Sequence, residues 1–359
     1  MKNIWFFPYH PDMDLLIEQR SRLKDVTILG ISSYKEDAVL VDPLNNILGS
    51  SGNFEKGLAE CDQLVLLENY RNCKTEKYYE MMEKAISAGV QVVLVPQLAK
   101  TLELKSYQGQ YTLLQKTHKV TLSEPGGWEV LEQRKYMIKT PVIVVFGMGK
   151  HCNKFQNQLF LKEILDGDGY HGVWISSNPL GALFGSYTLP EFLFDEHLAM
   201  AEKVLRMNEY LYSLELEKKP DVFLIGVPEG IAEFEKYEFH HFGEYALVIG
   251  SAVSVDSAVF CTYYLDAPIR KGIEQVAYHS KEKFGFPVDM VSVGRTQYEM
   301  IDGRIEMIYS FLSKEYAQKH YNPADDLGKF LAEVWNTEQL TAAMEKLVVG
   351  KLEENAEAI

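Results

Sequence analysis

Residues 140–155, TPVIVVFGMGKHCNKF, pass from an apolar strand through a glycine turn into an amphipathic helix, the layout of a phosphate-binding loop. In a Walker A loop, G-x-x-x-x-G-K-[ST], the glycines let backbone N–H groups close on the phosphates. The lysine neutralises them and the hydroxyl holds Mg²⁺. Only part of that chemistry is present. Aligned on Lys154, Met148 and Asn153 replace the glycines and Phe155 replaces the hydroxyl; aligned on Lys150, Gly149 fits but Val144 and His151 do not. Gly147, Gly149, Asn153 and Lys154 therefore predict an anion site, aided by the helix N-terminus and its dipole. The competing reading is a solvated first-turn lysine on a helix capped by Asn153. A carboxylate, sulfate or peptide terminus asks less of the loop than nucleotide hydrolysis, and survives the missing hydroxyl. A nucleotide with Mg²⁺ is the cofactor that an enzymatic reading would require.

Other residues could serve the same ligand. Glu229 lies between Pro228 and Gly230 at an expected strand end, where ligands sit in open α/β sheets, and is the candidate acid or base. It could equally fix its own turn. Ser176 and Ser177 follow another strand and either reach the ligand or build an ordinary turn. Arg295 and Thr296 would complete the rim. Cys152 beside His151 at a helix start could be a nucleophile of lowered pKa or an inert thiol. No zinc-ligand spacing occurs, and His240-His241 point apart on any regular element. In the first half, His10, Asp12, Glu68, Asn69 and Tyr70 follow expected strands and could mark a second cleft. The aromatic-rich segment Phe184–Phe194 is ordinary packing or, if it lies between domains, an apolar groove for a peptide.

Apolar runs alternating with helical patterns must position these residues. Strands are expected at Ile4–Phe7, Val26–Leu29, Ala38–Val41, Gln63–Leu67 and Val90–Val95, and then at Val142–Phe146, Val173–Ile175, Val222–Val227, Ala258–Tyr263 and Val288–Val293. Helices are expected over Glu76–Ser87 with Gly89 closing it, after the loop, over His197–Leu214, and over Ile269–Phe284. The first strand is followed by Pro8-Tyr9-His10-Pro11-Asp12 rather than G-x-G-x-x-G, so a dinucleotide fingerprint is missing. The fold class is α/β: a Rossmann-like parallel sheet over 1–135, a degenerate P-loop-like domain over 136–303 and a helical tail over 304–359. The first boundary rests on the turn Pro125-Gly126-Gly127.

The 359 residues suit two domains, and the apolar fraction of 47% supplies full cores. A net charge of −15 argues against general nucleic-acid or anionic-membrane binding. No apolar run approaches the ~20 residues of a membrane span. Four widely spaced cysteines, Cys61, Cys73, Cys152 and Cys261, suggest reduced thiols and a cytoplasmic setting.

Several segments resemble the peptide maturation system proteins encoded beside ribosomally made peptide natural products, mainly in clostridia and relatives. In the first half they are Asp37–Asp42 and Phe54–Asp62. In the second they are Thr140–Ile143 with Asn153–Leu159, Leu183–Gly185 with Leu189–Phe192, Ile225–Gly230, and Phe284–Asp289. The likeness spans nearly the whole chain, though a Gly-Trp-Gly segment associated with the family is missing near positions 30–36. The resemblance implies a bacteriocin-like (RiPP) accessory role: binding a precursor peptide, a partner maturase, or both. Two alternatives stay open, an ATP- or GTP-dependent ligase or phosphotransferase acting on a peptide or carboxylate, and a purely complex-assembling protein. A fainter likeness to P-loop proteins related to dethiobiotin synthetase implies that Ile225–Gly230 faces the loop as a second turn.

Overall fold

Val142–Phe146 are completely buried, as a parallel strand covered on both faces must be, which is why this segment reads as an unbroken apolar run. Around it the chain folds as an α/β protein. The computed structural model describes residues 1–34, 54–68, 74–120, 135–232, 243–264, 270–300, 307–322 and 331–357. They form two units: Met1–Lys116 with Pro179–Gly185, and Thr117–Asn178 with Ser186–Ile359. The segment Pro179–Gly185 stands in the first unit, where Lys24 N–H donates to the Leu183 carbonyl at 3.3 Å and Lys116 Nζ to that of Gly185 at 2.9 Å. Pro125–Gly127 lie outside the described residues, as do Ala38–Val41.

The first unit is a Rossmann-like parallel sheet. Among the described residues it holds β1 (Lys2–Phe7), β2 (Val26–Ile31), β3 (Gln63–Leu66), β4 (Gln91–Leu94) and β5 (Tyr111–Leu113) in the order β2-β1-β3-β4-β5. Helix α1 (Asp12–Glu18) follows β1, and α2 (Thr75–Ser87) precedes β4. Gly89, at φ 75°, closes α2, letting Val90 N–H return to the Ala85 carbonyl at 2.8 Å. The three residues of β5 are too few for a period to show, so sequence reading passes over them.

The second unit is the P-loop-like sheet. Its strands are β6 (Val142–Gly147), β7 (Gly172–Ser176), β8 (Tyr187–Thr188), β9 (Val222–Gly226), β10 (Ser257–Thr262), β11 (Val288–Val293) and β14 (Leu331–Glu333), ordered β14-β11-β10-β6-β9-β7-β8 and parallel throughout. A separate hairpin pairs β12 (Thr296–Met300) with β13 (Met307–Phe311). Helix α3 (Lys154–Gly167) packs on β6, β7 and β9; α4 (Met200–Lys218), α5 (Glu244–Ala252) and α6 (Arg270–Phe284) follow in the chain. The tail is helical at α7 (Lys314–His320), α8 (Thr337–Met344) and α9 (Gly350–Glu357), with a π-helical turn, Glu345–Val349, between the last two. It is not helical throughout. Residues 307–311 form a hairpin strand, and Leu331–Glu333 extend the main sheet beside β11. Backbone pairing to a distant partner outweighed local helix propensity there.

Candidate functional site

The chain runs outward from β6 to β7 and β8, returns as β9, and crosses to β10 on the other side. The order thus reverses around β6, and open α/β sheets bind ligands outside the carboxyl ends of strands at such a point. The loop 148–153 leaves β6 there. Gly147 and Gly230 are both required by close approach. A Cβ on Gly147 would lie 2.5 Å from Cys152 Sγ and 2.6 Å from the Cys261 carbonyl oxygen. One on Gly230 would lie 2.1 Å from the Met148 oxygen and 2.3 Å from Gly149 Cα. The turn after β9 therefore lies directly on the loop. Ile231 N–H donates to the Gly147 carbonyl at 3.1 Å and Ala232 N–H to that of Met148 at 3.0 Å.

Lys154 begins α3 and turns back over the loop. Its ammonium donates to the Gly149 carbonyl at 2.6 Å and, in a short contact, to the Glu229 carbonyl. An ammonium has three N–H donors; the third has no partner among the described residues. Lys154 is thus neither a free surface lysine nor fully consumed. Glu229 faces the same loop through its carboxylate, whose Oε2 lies 3.4 Å from Lys150 Nζ, and Lys150 is 47% exposed. Tyr245 stands close by: burial raises its phenol to about 12, and the charges of Glu229 and Glu244 add to the effect.

Asn153 stands at the N-cap position, its carbonyl accepting Asn157 N–H at 3.2 Å, but its side chain does not do the capping that its residue type suggests. At φ 60° its side chain makes no cap bond; Oδ1 instead accepts Arg295 N–H at 2.9 Å, and Nδ2 donates to Gln156 Oε1 at 3.3 Å. Across the loop, Thr296 Oγ1 donates to the His151 carbonyl at 2.6 Å and Tyr263 OH to that of Lys150 at 2.8 Å. Arg295 and Thr296 therefore brace the loop from the β11–β12 turn. His151, Asn153 and Glu229 all hold left-handed backbone, at φ 58°, 60° and 54°. Asparagine tolerates that region, whereas histidine and glutamate enter it at a cost that surrounding bonds must offset.

Ser176 and Ser177 both bond to neighbouring protein groups. Ser176 Oγ accepts Asn178 N–H at 3.1 Å, which is turn chemistry. Ser177 Oγ accepts Gln158 Nε2 at 3.0 Å, and the same Nε2 donates to the Lys154 carbonyl at 3.2 Å. Gln158 Oε1 accepts Trp174 Nε1 at 3.2 Å, so this buried glutamine ties β7 to the first turn of α3. Sequence reading missed it, although three uncharged polar residues in a row, Gln156–Gln158, which span more than one face of the helix, were a visible sign.

Cys152 is buried, and its thiol donates to the Gly149 carbonyl at 3.1 Å, the acceptor that Lys154 also uses. Burial pushes the neighbouring Cys261 thiol well up, and proximity to Cys152 adds to the shift while Lys154 offsets part of it. These are packing thiols. Phe155, in the hydroxyl position, is buried and stacks on Trp174 with ring centroids 6.2 Å apart. The loop does not fit the Mg²⁺ of a nucleotide complex, since the atom that would hold it is replaced by a ring turned into the core. No group of His, Cys, Asp and Glu among the described residues is placed to hold a metal ion, and no helix among them is long and apolar enough to cross a membrane.

In the first unit, β1 and β3 flank the corresponding switch point. His10 Nδ1 there accepts Asp12 N–H at 3.2 Å. Glu68 follows β3; Asn69 and Tyr70 lie outside the described residues, as do His240 and His241.

No family model and no curated protein matches the chain. Among solved structures it is similar to a DUF1611 family protein from Anabaena variabilis, with a TM-score of 0.54 and 12% identity over 96% of this chain and all of that one. That likeness establishes the α/β fold and nothing about activity. A folylpolyglutamate synthetase from Helicobacter pylori superposes with a TM-score of 0.25 at 16% identity over 59% of this chain and 54% of that one, too slight to carry an argument.

Proposed function

We propose that the second unit is an anion-binding module and that the chain is an accessory protein in the maturation of a ribosomally made peptide. The observation that carries the first part is Lys154: an ammonium fixed by two carbonyls at the ends of β6 and β9, with one donor left for a ligand. Preorganisation of this kind lowers the entropy lost on binding. Phe155 in the hydroxyl position separates anion binding from Mg²⁺-nucleotide chemistry. Peptide maturation rests on the resemblance of the segments around Asn153–Leu159, Ile225–Gly230 and Phe284–Asp289. The chain would bind the precursor peptide or a maturase in the cytoplasm, where buried, unpaired thiols such as Cys152 and Cys261 persist.

One observation favours the enzymatic alternative, a nucleotide-dependent ligase or phosphotransferase: the Glu229 carboxylate stands beside the loop at a strand end, where it could activate a nucleophile. The two readings part in a simple assay. Incubated with ATP or GTP and Mg²⁺, the purified chain is expected to release no phosphate above the spontaneous rate. It should co-elute without nucleotide with a precursor peptide or maturase encoded beside it. Turnover that Lys154→Ala abolishes would replace this reading with the enzymatic one.

A further inference from the structure

Gln156 joins the anion loop to the far edge of the sheet. Its Nε2 donates to the Val334 carbonyl at 3.0 Å, just beyond β14, and its Oε1 accepts Asn153 Nδ2 at 3.3 Å. Asn153 ends the loop, and its Oδ1 accepts the Arg295 N–H at 2.9 Å. Gly294 makes room for that contact, since a Cβ there would lie 2.7 Å from the same Oδ1. Lys154 is the next residue in the chain. The residue before the anion-binding lysine is thus held, through one buried glutamine, by the end of β14.

β14 itself is lightly secured. Its three residues pair with β11 alone, and among the described residues it forms the edge of the sheet. Its last residue, Glu333, is buried. Tyr321 at the end of α7 and Tyr264 beyond β10 lie with ring centroids 6.1 Å apart, and Trp335 packs on both, at 5.0 and 5.7 Å. The Tyr321 hydroxyl is buried with no hydrogen-bond partner among the described residues. Burial raises its phenol, and the charges of Glu333 and Tyr264 add to the shift. The other charged groups nearby are turned elsewhere. On β11, Asp289 is paired with Lys351 at 2.7 Å; Glu338 of α8 and the charged residues of α7 are exposed. Burial pushes the Glu333 carboxyl above its ordinary 4.5, its own backbone N–H offsets part of that, and no cation contributes. A buried carboxylate without a cation is costly, so the neutral acid suits this place and the ion does not.

Resting on the anion-site reading above, we infer that Glu333 is a proton-sensing residue that regulates the anion loop through Gln156. With the carboxyl neutral, β14 keeps the Val334 carbonyl on Gln156, and Asn153 stays fixed beside Lys154. Ionisation of Glu333 loosens the edge strand, releases Gln156 and weakens anion binding. Anion and proton are then linked: each favours the other's binding.

The test is titration calorimetry of the full chain with sulfate, whose own charge is constant across the range, from about pH 5 to about pH 8. Affinity should fall at least ~5-fold with rising pH, the low end of ordinary coupling between sites. His151 in the loop could also gain a proton over this range, so two variants decide. Glu333→Gln stays neutral and should bind with no fall. Gln156→Met keeps the acid but cuts the relay, and should bind weakly and equally at every pH. An unchanged circular dichroism spectrum and melting point at about pH 6 check the fold of both. A fall that persists in Glu333→Gln belongs to another group and would overturn the inference. One that persists in Gln156→Met would overturn the relay, since the carboxylate would then act through its field alone. Affinity flat with pH in the unaltered chain would overturn the inference while leaving the anion site standing; sulfate silent at every pH would remove both.

Discussion

Two of the three donors of Lys154 are committed to carbonyls of the loop and the facing turn, and this single arrangement separates the site from a surface lysine. The place of that residue at the start of a helix after a glycine turn is legible in the sequence, whereas its bonds to two carbonyls, one of them 75 residues further along, are not. Nor is the job of Asn153. Its partner, Arg295 N–H, lies 142 residues further along the chain, so a local reading assigns it to the helix cap that its residue type suggests. In the first unit the informative residue is His10. Burial lowers its imidazole below the ordinary 6.5, against the pull of Asp12 and Asp14. Below that ordinary value the unfolded chain binds the proton more readily than the folded one, so this residue makes stability fall as pH drops through the window beneath 6.5. Urea unfolding at about pH 7.5 and about pH 5.5 should show a smaller acid loss for His10→Gln than for the unaltered chain. An identical loss in both would remove His10 from the account.

At the scale of elements, long buried strands such as β6 announce themselves as apolar runs, and they were readable nearly residue by residue. Short edge pieces, β5, β8 and β14, carry no period, and the hairpin β12–β13 owes its form to pairing rather than to local preference. The first turn of α3 shows best how packing governs chemistry. Phe155 occupies the place of a magnesium-holding hydroxyl because that side of the helix is pressed against Trp174 of β7. Restoring the hydroxyl with Phe155→Thr should therefore cost about 3 kcal/mol or more in urea unfolding, through the cavity it leaves. It should confer no Mg²⁺-dependent nucleotide binding. A variant as stable as the parent that gains such binding would show that the loop is a nucleotide site lacking one atom, not a site built for something else.

The whole chain combines two doubly wound sheets, each with a switch point at the carboxyl ends of its strands. Fold class was legible because alternation of apolar runs and helical patterns leaves few alternatives. The membership of Pro179–Gly185 in the first unit was not, since a segment leaving one unit for another changes neither composition nor periodicity. In the second unit two lysines, Lys150 and Lys154, and the Glu229 carboxylate meet at the loop, and the central claim is that this arrangement binds an anion without a metal. Titration calorimetry of the chain and of Lys154→Ala with inorganic phosphate, sulfate and an N-acetylated amino acid tests it, each run with Mg²⁺ and again with a chelator. Binding of at least one of these anions that is the same with and without Mg²⁺, and lost in the variant, is the predicted result. No heat from any of the three at millimolar concentration, or heat that appears only with Mg²⁺, would contradict it.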